Sequence, residues 1–284
     1  EGFWGFAFTD WPTWRFYGAI LEIAWGMPVI IAIMLGFLRA IKSYDEETFV
    51  ILIFPLLYSV VLLSASAASS SFARYLVPVL PFLALLGADG VMVITEWLSK
   101  YLPAKFKTTM MIFLAIMLIS IPAARIIRLD YLWTQTDTRT LAKEWIEQHI
   151  PSNLRIAIQW HGPPLATQDD PEPNSSRVYE VDLLDPFSSD SEMYSIQHYW
   201  AQGFDYIILS SYIYELHRVE PVENSLRQAF YRELDSDLEL MAEFNPFTDQ
   251  SSPSFFFEEL WGPITTLWQR ERPGPVIKIY RLTP

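Results

Sequence analysis

The 284-residue chain contains no cysteine. Disulfides, thiolate nucleophiles and cysteine zinc sites are therefore excluded, and the composition is compatible with either redox compartment. Glycine is scarce, with 11 residues, and none stands in a GxGxxG or GxxxxGK[ST] run, so nothing supports a glycine-rich loop cradling a nucleotide phosphate. No G-x-S-x-G nucleophile elbow occurs either. His149, His161, His198 and His217 lie 12, 37 and 19 residues apart, which matches no metal-ligand spacing. Each reads as a surface or capping residue, and neither a metal nor a cofactor is implied. Positive charge is also short: the net charge is −13, with no basic patch studded with aromatics, which argues against nucleic acid as a partner.

What is present divides in two. Residues 1–130 hold nine Lys/Arg and nine Asp/Glu, residues 131–284 eleven and twenty-four, so the excess negative charge lies entirely in the second half. Four apolar runs, 18–38, 49–68, 76–93 and 108–124, approach the roughly 17–25 residues of a membrane-spanning helix. Four in succession would overfill a soluble core, so the first 130 residues read as a polytopic helical membrane region. Trp11 and Trp14 before the first run, Trp97 and Tyr101 after the third, and Tyr131 and Trp133 after the fourth stand where amphipathic rings anchor at headgroups. Short-loop cations favour a cytoplasmic side holding Arg39, Lys42, Lys100, Lys105 and Lys107 over one holding Arg15, Arg74, Arg125 and Arg128, which makes the acidic half extracytoplasmic. The opening EGFWGFAFTDWPTW lacks the basic stretch and cleavage site of a signal peptide, and a piece of a longer polytopic protein is expected. Pro28, Pro55, Pro78, Pro81 and Pro122 interrupt the runs, and Glu22 and Asp89 place carboxylates near their ends, where snorkelling or local water satisfies them.

Residues 131–284 alternate helical and strand patterns, which predicts a soluble α/β domain with a mostly parallel sheet. Asp137 caps a helix whose face holds Leu141, Ala142, Trp145, Ile146 and Ile150, and Pro151 ends it. Strands are expected at 154–160, 204–211, 238–244 and 275–282, with helices at 192–202 and 223–234. The loop 169–176 carries Asp169, Asp170 and Glu172, a conceivable calcium patch that more simply reads as solvated, and the sequon Asn174-Ser175-Ser176. Phe255, Phe256, Phe257, Leu260, Trp261, Ile264 and Trp268 form an aromatic stretch with two readings, a segment resting on the bilayer or one packed on the protein. Glu258 and Glu259 favour packing, because interfacial segments prefer Lys and Arg.

Five blocks, WRFYGAILEIAWGMPVIIAIMLGFLRAI, RYLVPVLPFLALLGADGV, TRTLAKEWIEQHIPSNLRIAI, GFDYIILSSYIYE and GPVIKIYRL, taken in this order resemble the C-terminal half of bacterial membrane glycosyltransferases, the dolichyl-phosphate-mannose protein mannosyltransferase-like proteins of the C-type superfamily. The resemblance implies an integral protein of a bacterial inner membrane that moves a sugar from a polyprenyl-phosphate carrier to an acceptor on the outer face. Its partners would be that lipid-linked sugar and membrane lipids. The family's catalytic acid, an Asp or Asp-Glu pair, belongs to a first outer loop that nothing in 1–284 matches, so the resemblance assigns no catalytic residue here and implies that these residues alone are inactive. What it leaves to this chain is carrier recognition: Arg74, followed by Tyr75 and a proline-broken helix start, is the candidate phosphate clamp, since a guanidinium pairs with phosphate bidentately. The alternative is a non-catalytic scaffold subunit partnered by other membrane subunits.

Overall fold

The computed structural model describes residues 13–43, 46–66, 72–101, 103–169, 177–185, 191–218, 225–249, 253 and 256–282. Trp11, Asp170, Glu172, Asn174 and Phe255 lie outside the described residues. The chain forms two units, Glu1–Arg128 and Leu129–Pro284.

The first unit is helical. The expected first span is two helices, α1 (Thr13–Trp25) and α2 (Met27–Ser43), meeting at 113°. Gly26 makes the corner at φ +80°, a conformation glycine adopts at no steric cost. Its N–H closes α1 on the Glu22 carbonyl, and Pro28, which has no N–H to offer, sits in the first turn of α2 where none is needed. The second span falls in α3 (Glu46–Ser66), whose apolar part Ile51–Ser64 is shorter than a full crossing. The third and fourth fall in helices long and apolar enough to cross a membrane: Ala73–Leu98, and α5 (Lys107–Trp133) at the start of the other. Among the described residues two such helices are present, or three if α1 and α2 count as one broken span.

Ala73–Leu98 opens as a 3-10 helix (Ala73–Val79) and continues as α4 (Leu80–Leu98). The prolines explain the opening. Pro78 and Pro81 cannot donate to the carbonyls of Arg74 and Val77 four residues earlier, and the Val77 carbonyl is instead met by the N–H of Leu80, three residues on. α4 packs on α2 through small residues: Ala32, Gly36 and Ala40 of α2 are buried, as are Leu86, Gly90 and Thr95 of α4. Small side chains let two helix backbones come into contact. Arg39 and Glu96 tie the same two helices with an ion pair of 3.0 Å.

The second unit is a five-stranded sheet between helices. α6 (Thr138–His149) precedes β1 (Arg155–Gln159); β2 (Glu180–Leu184), α7 (Ile196–Ala201), β3 (Tyr206–Ser210), α8 (Ser211–Arg218), α9 (Ser225–Asp237), β4 (Glu239–Phe244) and β5 (Ile277–Arg281) follow. The strand order is β2-β1-β3-β5-β4, with β1 parallel to β2 and β3, and β5 antiparallel to β3 and β4. The sheet is therefore mixed rather than mostly parallel. The reason lies in the connection: β4 ends at Phe244, paired with Ile277 at the start of β5, so 245–276 leaves and re-enters the sheet at one edge and reverses the chain.

Alternation decides which face each side chain covers. Ile156, Ile158, Tyr206, Ile208, Ile277 and Ile279 pack on one face with Ala142 and Ile146 of α6 and Ile150 just after it. Ala157, Ile207, Leu209 and Tyr280 pack on the other with Ile196 and Tyr199 of α7, Tyr214 of α8 and Phe230, Tyr231 and Leu234 of α9. Helices thus cover both faces, as a strand as continuously buried as β3 requires.

Candidate lipid-phosphate site

Arg74 stands in the 3-10 opening of the Ala73–Leu98 helix and is exposed. Its guanidinium carbon lies 4.2 Å from the ring centre of buried Phe72 and 5.7 Å from that of Tyr75. The two rings meet edge to face at 5.5 Å, so the cation rests on a fixed aromatic corner, an arrangement that costs an arginine little. Tyr75 is half-buried, and its backbone carbonyl accepts a 2.8 Å hydrogen bond from the Tyr58 hydroxyl of α3. The 3-10 opening is thereby tied to its neighbour, and Phe54 of α3 stacks on Phe82 of α4 at 4.7 Å one turn further along. Arg74 and Tyr75 are thus brought together. Glu22 is exposed on α1 and Asp89 half-buried on α4.

One group of polar side chains in the α/β unit lies near the carboxyl edge of β3, where Thr138 meets the chain entering β5. Asp137 caps α6 by accepting from the Arg139 N–H at 2.8 Å, and its two oxygens also take the Arg139 side chain at 2.9 and 2.8 Å. Burial pushes the Asp137 carboxyl up, but the hydrogen bonds and charge of Arg139 outweigh it and hold the group below the usual carboxylate range. Beyond the same edge Glu259 and Arg270, each 4% exposed, form a buried pair at 3.3 Å. Four further donors satisfy the Glu259 carboxylate: the N–H and hydroxyl of both Thr265 and Thr266. Arg270 also donates to Thr266 Oγ1 and to the Gly274 carbonyl, and stacks 4.6 Å from the Phe247 ring centre. With every partner supplied, this pair fastens the 256–274 segment to itself.

The histidines do not converge. His149 stacks on Trp145 at 4.5 Å, and His198 approaches Glu192 at 3.8 Å. His161 turns the chain after β1 at φ +60° against Tyr212, and burial, then the Arg139 charge, lowers its pKa from 6.5. His217 is buried 2.7 Å from the Tyr231 hydroxyl. That contact belongs to a buried network: the Ser210 N–H gives to Gln159 Oε1, Gln159 Nε2 gives to the Tyr231 hydroxyl, and the hydroxyl shares a hydrogen bond with His217 Nδ1. This network was not expected from sequence, because its members lie 14 to 72 residues apart and none sits in a motif. Among the described residues no three His, Asp or Glu side chains come together to hold a metal ion.

Comparison of the chain with protein-family models, with characterised proteins and with solved structures finds no match.

Proposed function

We propose that this chain is the C-terminal part of an integral-membrane glycosyltransferase of a bacterial inner membrane, one that moves a sugar from a polyprenyl-phosphate carrier to an acceptor at the outer face. In this reading the four apolar runs all belong to the membrane region, and the acidic α/β unit is extracytoplasmic. The observation that carries the proposal is Arg74: an exposed guanidinium, backed by Phe72 and Tyr75, at the opening of a 26-residue apolar helix. A polyprenyl phosphate presents its anionic group at that depth, with its chain in the hydrocarbon.

The chemistry assigned to this chain is leaving-group stabilisation. When the bond between the anomeric carbon and the phosphate oxygen breaks, its electron pair stays on that oxygen, and Arg74 meets the growing charge with two parallel N–H donors. Tyr75 walls the same corner. Removing a proton from the acceptor hydroxyl falls to the family's carboxylate, which no residue of 1–284 matches. The test is to reconstitute the natural full-length protein in liposomes with a radiolabelled polyprenyl-phosphate sugar. Release of free polyprenyl phosphate coupled to sugar transfer supports the proposal, and an intact donor in the presence of candidate acceptors contradicts it.

A further inference from the structure

The aromatic stretch after β4 has its charges turned inward. Glu258 and Glu259, the residues that argued against a bilayer contact, are each 4% exposed, and Glu259 is neutralised by Arg270. Trp261 and Trp268 are turned outward, 52% and 57% exposed, while Phe257 and Leu267 between and before them are buried as their footing. Glu258 and Glu259 are thereby withdrawn from the exposed aromatic surface, and the exposed acid nearest to it in sequence is Glu271, three residues after Trp268.

Its position in the unit is set by topology. Phe244 and Ile277 pair with each other at the carboxyl edge of β3, so both ends of 245–276 are anchored there. The chain from α5 arrives at the same edge: the Thr138 N–H bonds the Pro273 carbonyl at 3.1 Å and its hydroxyl the Pro275 carbonyl at 2.6 Å. Four residues separate Trp133, the end of α5, from Thr138, a reach of about 18 Å when fully extended. Two hydrogen bonds, Thr134 N–H to the Tyr131 carbonyl and Gln135 N–H to that of Leu132, shorten it further. The edge bearing Trp261 and Trp268 is thus held close to the end of an apolar helix. Exposed Tyr131 and Trp133 at that end are rings of the kind that settle at headgroups.

We infer that Trp261 and Trp268 form a lipid contact, an aromatic anchor that rests the α/β unit on the headgroup layer of the bilayer its own helices enter. The inference rests on the membrane reading of α5 and does not depend on the glycosyltransferase proposal. It commits to lipid over a protein partner because only four residues link this edge to the end of α5, and because tryptophan prefers the boundary between water and hydrocarbon.

The absence of cysteine makes the test direct. Single cysteines replace Trp261, Trp268, Trp200 or Ile116 in the full chain, which is reconstituted in liposomes and spin-labelled. Trp200 is the aqueous control, exposed at the opposite edge where it bonds the Leu282 carbonyl, and Ile116, exposed on α5, is the hydrocarbon control. Labels at 261 and 268 should show an oxygen-to-nickel-chelate accessibility ratio several-fold above that at 200 and below that at 116. Equal ratios at 200, 261 and 268 would overturn the inference, as would labels at 261 and 268 shielded from both reagents, the mark of a protein partner. An aqueous label at 116 would overturn the span assignment and this inference with it. Should a cysteine variant fail to fold, quenching of tryptophan emission by brominated lipid, lost in part in Trp261→Phe and Trp268→Phe, reads the same contact.

Discussion

Gly36 and Gly90 hold α2 and α4 at backbone contact. A Cβ on Gly36 would lie 1.8 Å from the Leu86 carbonyl oxygen, and a Cβ on Gly90 1.8 Å from that of Ala32. Neither obstacle is a flexible side chain that can swing away, so one methyl group at either position must part the helices. Gly36→Ala and Gly90→Ala are each expected to cost about 1–3 kcal/mol or more, the range for overpacking a close contact. The Arg39–Glu96 pair beside them should loosen as well. Unfolding of the purified protein in mixed micelles measures this, and an alanine variant as stable as the parent would show that the helices do not meet as described.

The pair Glu259–Arg270 predicts an asymmetric response. Arg270→Met leaves a carboxylate buried with only neutral donors, and breaking a buried pair by removing one partner costs about 3–5 kcal/mol. Thermal denaturation should show a large fall in midpoint. Arg139→Met should fall far less, because the Arg139 side chain is 38% exposed and water replaces the lost partner. Equal effects at the two positions would contradict the burial described.

Much of the α/β unit was legible before the structure. The cap at Asp137 and the stop at Pro151 bound α6 because both act locally, through one side-chain hydrogen bond and one missing N–H. β1, β3, β4 and β5 were legible in their apolar runs. β2 was not, since Glu180–Leu184 is an edge strand with one buried residue and no alternation to read. The helix expected over 192–202 is broken at Ser195, whose extended backbone separates a 3-10 turn (Ser191–Tyr194) from α7. The direction of β5 and the inward turn of Glu258 and Glu259 depend on pairings between distant residues. No local pattern carries them. Likewise Arg74 and Tyr75 are adjacent in sequence and were readable as a pair, whereas Phe72 behind the guanidinium and the bond from Tyr58 emerge only from packing.

His161 makes stability depend on pH. Burial and the Arg139 charge lower its folded pKa below 6.5, so between the two values the unfolded chain binds more protons than the folded one. Stability therefore falls as pH drops below about 6.5 and recovers as it rises. His161→Asn keeps a residue that tolerates φ +60° and removes the titration. Denaturant midpoints across this range should slope less in the variant than in the parent, and identical slopes would assign the dependence to another group.

Tyr231→Phe should cost about 1–3 kcal/mol despite the small change in volume, because it takes the acceptor from buried Gln159 Nε2 and the hydroxyl partner from buried His217 Nδ1. Tyr280→Phe at exposed Asp235 offers the comparison, since water reaches that carboxylate. Equilibrium unfolding monitored by near-UV circular dichroism separates the two. A Tyr231→Phe variant no weaker than Tyr280→Phe would contradict the buried network.

Carrier recognition by Arg74 is tested most directly by donor binding to the natural full-length protein. Arg74→Lys keeps the charge but cannot form the two-pronged contact with phosphate, and loss of a charge-assisted hydrogen bond of this kind costs about 1.5–3 kcal/mol. The dissociation constant for a polyprenyl-phosphate sugar, measured on parent and variant at equal expression and fold, should rise by roughly 10- to 150-fold at that cost. A lysine variant that binds and turns over the donor like the parent would contradict the account and leave Arg74 as an interfacial anchor.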